Sequence, residues 1–184
     1  MLLPVAADKR NLAGREKVAY LSAFAREALG LSAREAGIAL GTLAKNDAGA
    51  PLPSNGYFWS LAHKSNYVTA VAADVAIGID LEKTRSVTSG LYRRIAGEDE
   101  WGLSDDDREH LFYRYWTAKE AVLKVAGTGI RELAYCRIAV VPAEEWIHLD
   151  FKGEPFIVRQ FYHDQHVISV VDVGCPIKLQ IISP

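Results

Sequence analysis

Cysteine is scarce in this chain: Cys136 and Cys175 are the only two in 184 residues, and they form no ligand-like spacing. That excludes a disulfide scaffold and a thiolate zinc site, and it makes a reducing cytoplasm the default compartment. Long apolar runs are also missing. Nothing approaches the ~18 residues of a membrane span, and Met1 to Ala7 is too short for a signal peptide. Nor is there an excess of one charge. Twenty-one Lys and Arg stand against 23 Asp and Glu, net −2, so no basic field favours nucleic acid and any anion must be held by local groups. What remains is 49% hydrophobic, enough for one compact unit or two small halves in close contact.

The most informative segment alternates: Ile77-Gly78-Ile79-Asp80-Leu81-Glu82. On a strand, side chains two apart point the same way, roughly 6.6 Å apart at ~3.3 Å per residue. Asp80 and Glu82 therefore share a face while Ile77, Ile79 and Leu81 turn into a core, and Gly78 leaves the polar face open. Further on, Trp116-Thr117-Ala118-Lys119-Glu120-Ala121-Val122-Leu123-Lys124 reads as a helix with Glu120 and Lys124 one turn apart on one face. Magnesium takes hard oxygen ligands, typically one or two carboxylates plus substrate phosphates. Asp80, Glu82 and Glu120 with Lys124 fit a Mg²⁺ site that handles phosphate. Taken singly, each motif has a plainer reading. An Asp-x-Glu at a strand end is commonly a solvated edge, and a Glu-x-x-x-Lys pair is worth only ~0.2–0.5 kcal/mol on a helix surface.

These two blocks resemble the signatures of the 4'-phosphopantetheinyl transferases, and three further segments agree in the same order. Lys9-Arg10-Asn11-Leu12-Ala13-Gly14-Arg15 is similar to the family's N-terminal helix, Gly49-Ala50-Pro51-Leu52-Pro53 to its Gly-Lys-Pro turn, and Ser60-Leu61-Ala62-His63 to its Ser-x-Ser-His block. The resemblance spans residues 9 to 130. It implies transfer of the phosphopantetheine arm of coenzyme A to a serine of an apo acyl or peptidyl carrier protein, with release of adenosine 3',5'-bisphosphate. It also implies Asp80, Glu82 and Glu120 around Mg²⁺, with Glu120, or a water it orients, taking the serine proton. Lys124 would act on the leaving group, and Arg10, Arg15, His63 and Lys64 on the coenzyme's phosphates. Arg85, Leu91, Arg93 and Arg94 offer a basic, apolar face for the carrier. There are departures: Ala50 stands where many members carry a phosphate-holding lysine, Ala62 replaces a serine, and Lys64 stands where a small hydroxyl residue is common. A non-catalytic binding module and a metal-dependent phosphohydrolase are the rival classes.

Propensity and turn signals give the frame. A helix capped by Asp8 is expected over 9–29 and stopped by Gly30, a second over 33–43, and a loop over 46–56. Strands are expected over 57–61, 67–73 and 75–81, the last two as a hairpin turning at Ala73-Asp74. Helices are expected over 90–96 and 108–126, the second with Asp105-Asp106-Asp107 at its N-terminus. Strands at 136–141, 146–151, 156–162, 167–173 and 177–182 complete the chain. At an offset of 100, His63 aligns with His163, Tyr67-Val68-Thr69-Ala70-Val71 with Val167-Ile168-Ser169-Val170-Val171, and Ile77 to Glu82 with Ile177 to Ile182, where Gln180 and Ile182 replace the carboxylates. Shared strand composition alone would also produce such a match. Read as a duplication, it gives an α+β fold of two similar halves, approximately 1–90 and 91–184, with pseudo-twofold symmetry in one compact unit. The larger phosphopantetheinyl transferases are built that way, and a chain so built needs no second copy to complete its site, so a monomer is expected.

Overall fold

The computed structural model describes residues 1–47 and 49–182. The fold is α+β with two antiparallel sheets. Strands β1 (Leu2–Pro4), β2 (Phe58–His63) and β3 (Tyr67–Ala73) form a sheet of order β1-β3-β2. Strands β4 (Ile79–Lys83), β5 (Cys136–Ala143), β6 (Trp146–Phe151), β7 (Glu154–His163) and β8 (His166–Val171) form a second, of order β4-β8-β7-β6-β5.

Helix α1 (Gly14–Glu35) covers the first sheet. Leu21, Ala25, Ala28, Leu29 and Ala33 recur at helical spacing and are all buried. They pack with Trp59, Val68, Ala70 and Ala72 of β2 and β3. The expected stop at Gly30 does not occur. Burial of Leu29 and Ala33 on either side outweighs the ~1 kcal/mol disadvantage of an internal glycine, and the helix absorbs the start of the expected 33–43 helix before ending in a Schellman turn. There Gly37 takes φ 68°, its N–H donates to Arg34 O, and Ile38 N–H donates to Ala33 O. At the other end, a 3-10 turn at Ala7–Lys9 replaces the expected helical start.

Two short helices, α2 (Ser89–Ile95) and α3 (Glu98–Trp101), lead to α4 (Arg108–Ala126), which packs on β4, β7 and β8. Its boundaries are those expected. The acidic run divides its labour: Asp107 accepts from Glu109 N–H and His110 N–H, while Asp106 reaches the buried Arg114 at 2.6 Å. Gly127, at φ 68°, closes the helix.

The expected hairpin between 67–73 and 75–81 is corrected. β3 pairs with β2, and β4 leaves it to pair antiparallel with β8, Asp80 opposite Ser169 and Glu82 opposite Val167. Close packing directs this path. A Cβ on Gly78 would lie 2.0 Å from the Ala121 carbonyl oxygen, so only glycine lets the chain approach α4 there. Gly78 thus serves a backbone approach, where the sequence suggested an open polar face. Leu2, Ile77, Ile79, Leu81, Ile168 and Val170 form a core shared by the two sheets. The expected strand at 177–182 reduces to a parallel bridge between Leu2 and Ile181. Ala48 of the expected loop lies outside the described residues. None of the described helices is long and apolar enough to cross a membrane.

Candidate active site

β4 and α4 meet where the sequence placed its chemistry. Asp80 is only 7% exposed. Its Oδ1 accepts from Lys124 Nζ at 2.8 Å, and the same ammonium donates to the carbonyls of Ile79 at 2.7 Å and Leu61 at 3.4 Å. One lysine therefore fastens α4 to β4 and β2. Ser60 Oγ adds a second tie by accepting from Ile79 N–H. Glu82 Oε1 takes Lys64 Nζ at 2.6 Å and the Trp116 indole N–H at 3.1 Å.

Glu120 completes the acidic group. Its pKa is raised above the ordinary carboxylate value by burial first, then by the negative charge of Asp80, with Glu82 adding to this and Lys124 and Lys64 opposing. His63, at the end of β2, lies 3.5 Å from Ser22 Oγ of α1. Its pKa is lowered by burial, then by the Lys124 and Lys64 charges, with a smaller push from Lys45. The expected residues Asp80, Glu82, Glu120, Lys124, His63 and Lys64 thus form one electrostatic cluster.

Arg10 and Arg15 make no hydrogen bond or ion pair with that cluster among the described residues. Arg10 Nε donates to the Val5 carbonyl at 2.8 Å, and the residue lines a separate cavity with Tyr20 and Phe24. Arg15 is exposed in the first turn of α1.

Two cavities flank the cluster. One of about 230 Å³ is lined by Lys45, Ala50, Ser60, Glu120, Lys124 and Gly127. The other, about 540 Å³, is lined by Lys64, Glu82, Arg85, Leu91, Arg94 and Trp116. Sequence reasoning missed Lys45. It sits across a tight loop from Pro51, with Leu52 N–H donating to Ala44 O, and so brings an ammonium to the cavity where Ala50 supplies none. The available signal was a lysine just ahead of a Gly- and Pro-rich turn. Trp116, which opens the helical signature block, has a role the sequence did not suggest: its indole N–H holds Glu82. Lys119 faces the other way, buried against Glu100 at 2.7 Å and the Ile95 carbonyl at 2.6 Å.

Among the described residues no group of three or more His, Cys, Asp or Glu side chains is placed to hold a metal ion, so the expected trio of Asp80, Glu82 and Glu120 is not assembled around one position. Lysines hold two of the carboxylates instead. Asp80 Oδ2, however, is buried without a hydrogen-bond partner. A buried carboxylate oxygen with no donor is costly. With Glu120 close enough for Asp80 to raise its pKa, it is the oxygen a hard divalent cation would take. The residues present fit such an ion.

An antiparallel α+β fold that sets strand carboxylates against a helical Glu-x-x-x-Lys defines a class, and comparison with known sequences agrees. Residues 76–171 match the 4'-phosphopantetheinyl transferase superfamily, and the chain belongs to that family. It is 37% identical over 97 residues to the 4'-phosphopantetheinyl transferase HetI of Nostoc sp., covering 49% of this chain and 41% of HetI. To the 4'-phosphopantetheinyl transferase Sfp of Bacillus subtilis it is 26% identical over 76 residues, 39% of this chain and 34% of Sfp. To a holo-[acyl-carrier-protein] synthase of Streptococcus agalactiae it is 29% identical over 111 residues, 54% of this chain and 87% of the synthase. The match thus spans less than half the length of HetI and of Sfp.

Proposed function

We propose that this protein transfers the 4'-phosphopantetheine group of coenzyme A to a serine of an apo acyl or peptidyl carrier protein. The serine oxygen forms a bond to the phosphorus, the pyrophosphate bond breaks, and adenosine 3',5'-bisphosphate leaves with that bond's electron pair. The observation that carries this reading is the partnerless, buried Asp80 Oδ2 beside Glu120 and Lys124. Asp80 and Glu120 would hold Mg²⁺, with Glu82 beside them. Bound there, Mg²⁺ would polarise the attacked phosphate and neutralise the pyrophosphate.

The chain's own groups supply the rest. Glu120 accepts the serine proton, directly or through a water it orients. Lys124 neutralises the departing phosphate from the wall of the smaller cavity. His63 and Lys64 bind coenzyme phosphates, while Arg10 and Arg15 act farther out. The larger cavity, with Arg85, Leu91 and Arg94, receives the carrier, and the exposed Arg93 of α2 extends that basic face. α1 over β2–β3 and α4 over β7–β8 would be the related halves of a pseudo-twofold, monomeric enzyme of the larger type working in the cytoplasm.

The test is incubation with Mg²⁺, coenzyme A and an apo carrier protein, read by mass spectrometry. A serine-linked phosphopantetheine is expected. Release of inorganic phosphate without modification would mean a phosphohydrolase, and binding with neither product would mean a non-catalytic module.

A further inference from the structure

We propose that Lys64 is a resident counter-cation that competes with divalent metal for Glu82 and keeps metal affinity low until an anionic substrate draws it away. This rests on the metal-dependent reading of the site. The two lysines of the cluster are held very differently. Lys124 gives its ammonium to Asp80 and to two backbone carbonyls, so it is fixed. Lys64 Nζ meets Glu82 at 2.6 Å and has no other acceptor among the described residues. Its backbone is anchored, since its N–H donates to the Tyr67 carbonyl, but its side chain is 38% exposed.

The carboxylates differ as well. Asp80 keeps one oxygen without a donor, whereas Glu82 Oε1 already accepts from both Lys64 and Trp116. A divalent ion approaching Asp80 and Glu120 therefore meets the positive charge of Lys64, and it gains Glu82 only when that ammonium leaves. Lys64 also lines the 540 Å³ cavity with Arg85 and Arg94. A coenzyme phosphate brought to Lys64 at the edge of that cavity offers the ammonium a new partner, so anion binding and metal binding become mutually favourable, as linkage requires.

Mn²⁺ titration of the full chain without coenzyme A, followed by electron paramagnetic resonance or calorimetry, tests this. Removing one like charge near a divalent ion is expected to tighten Mn²⁺ binding on the order of tenfold in Lys64→Met and Lys64→Gln. Lys64→Arg should stay close to the wild type. Adenosine 3',5'-bisphosphate should strengthen Mn²⁺ binding by the wild type and do so much less in Lys64→Met. Equal or weaker binding in both neutral variants overturns the proposal. Asp80→Asn separates the two readings. If it binds Mn²⁺ as the wild type does, the metal centre itself is misplaced; if it loses Mn²⁺ while Lys64→Met is unchanged, only the role of Lys64 falls.

Discussion

Asp80 and Glu120 carry opposite ends of the same electrostatic problem. Asp80 is stabilised through Oδ1 by Lys124 and leaves Oδ2 bare, and Glu120 is left nearer to neutrality by burial and by its acidic neighbours. Asp80→Asn keeps the shape and removes the charge, and transfer should fall on the order of a hundredfold or more in steady-state assays. Glu120 gives a prediction of the opposite sign for stability. A carboxyl whose folded pKa lies above its unfolded value binds protons more tightly when folded, so it costs stability as pH rises through that interval. Glu120→Gln should therefore melt higher than the wild type at neutral pH and equally in acid, while losing transfer. A lower melting temperature at neutral pH would contradict the burial cause. Both acids were legible in the sequence because strand alternation and helical i, i+4 spacing fix which side chains share a face. Lys124 was legible with them, but two other lysine contacts of the site were not. Lys64 to Glu82 and Lys45 to the cavity are contacts across loops, for which no local period exists.

At the level of elements, α4 was readable to the residue. Its N-cap Asp107 and closing Gly127 bracket an apolar stripe, and replacing Asp107 by Ala should cost about 1 kcal/mol in urea titrations. The partner of β4 was not readable. A strand next in sequence to β3 commonly pairs with it, but the contact of Gly78 with the Ala121 carbonyl turns the chain toward β8, and nothing local encodes that contact. Gly78→Ala is accordingly expected to destabilise the fold by about 3 kcal/mol, at the upper end of overpacking costs because the obstructing atom is backbone. A near-neutral effect would mean that β4 and α4 separate easily.

Across the whole molecule, two helix-on-sheet layers are joined where β4 crosses into the second sheet, and the cluster lies on that junction. On the other side of α4, Lys119 holds Glu100 and the end of α2 against that helix. Lys119→Met removes the countercharge of the buried Glu100, whose carboxylate then keeps only the Gly97 and Ile138 N–H donors, and should cost about 3–5 kcal/mol, with Glu100→Gln added in the same chain recovering part of it. The α+β class followed from the pattern of elements, but the sheet order did not, because β4–β8 pairing joins segments more than eighty residues apart. The central claim is that acidic groups from β4 and α4 converge on one divalent ion. A crystal structure with coenzyme A and Mn²⁺, examined by anomalous scattering, addresses it directly. The expected peak lies at metal–oxygen bonding distance, about 2.1 Å, from Asp80 Oδ2, with a Glu120 oxygen beside it. A peak elsewhere, with Asp80 and Glu120 both bare of metal while the coenzyme is bound, would contradict it.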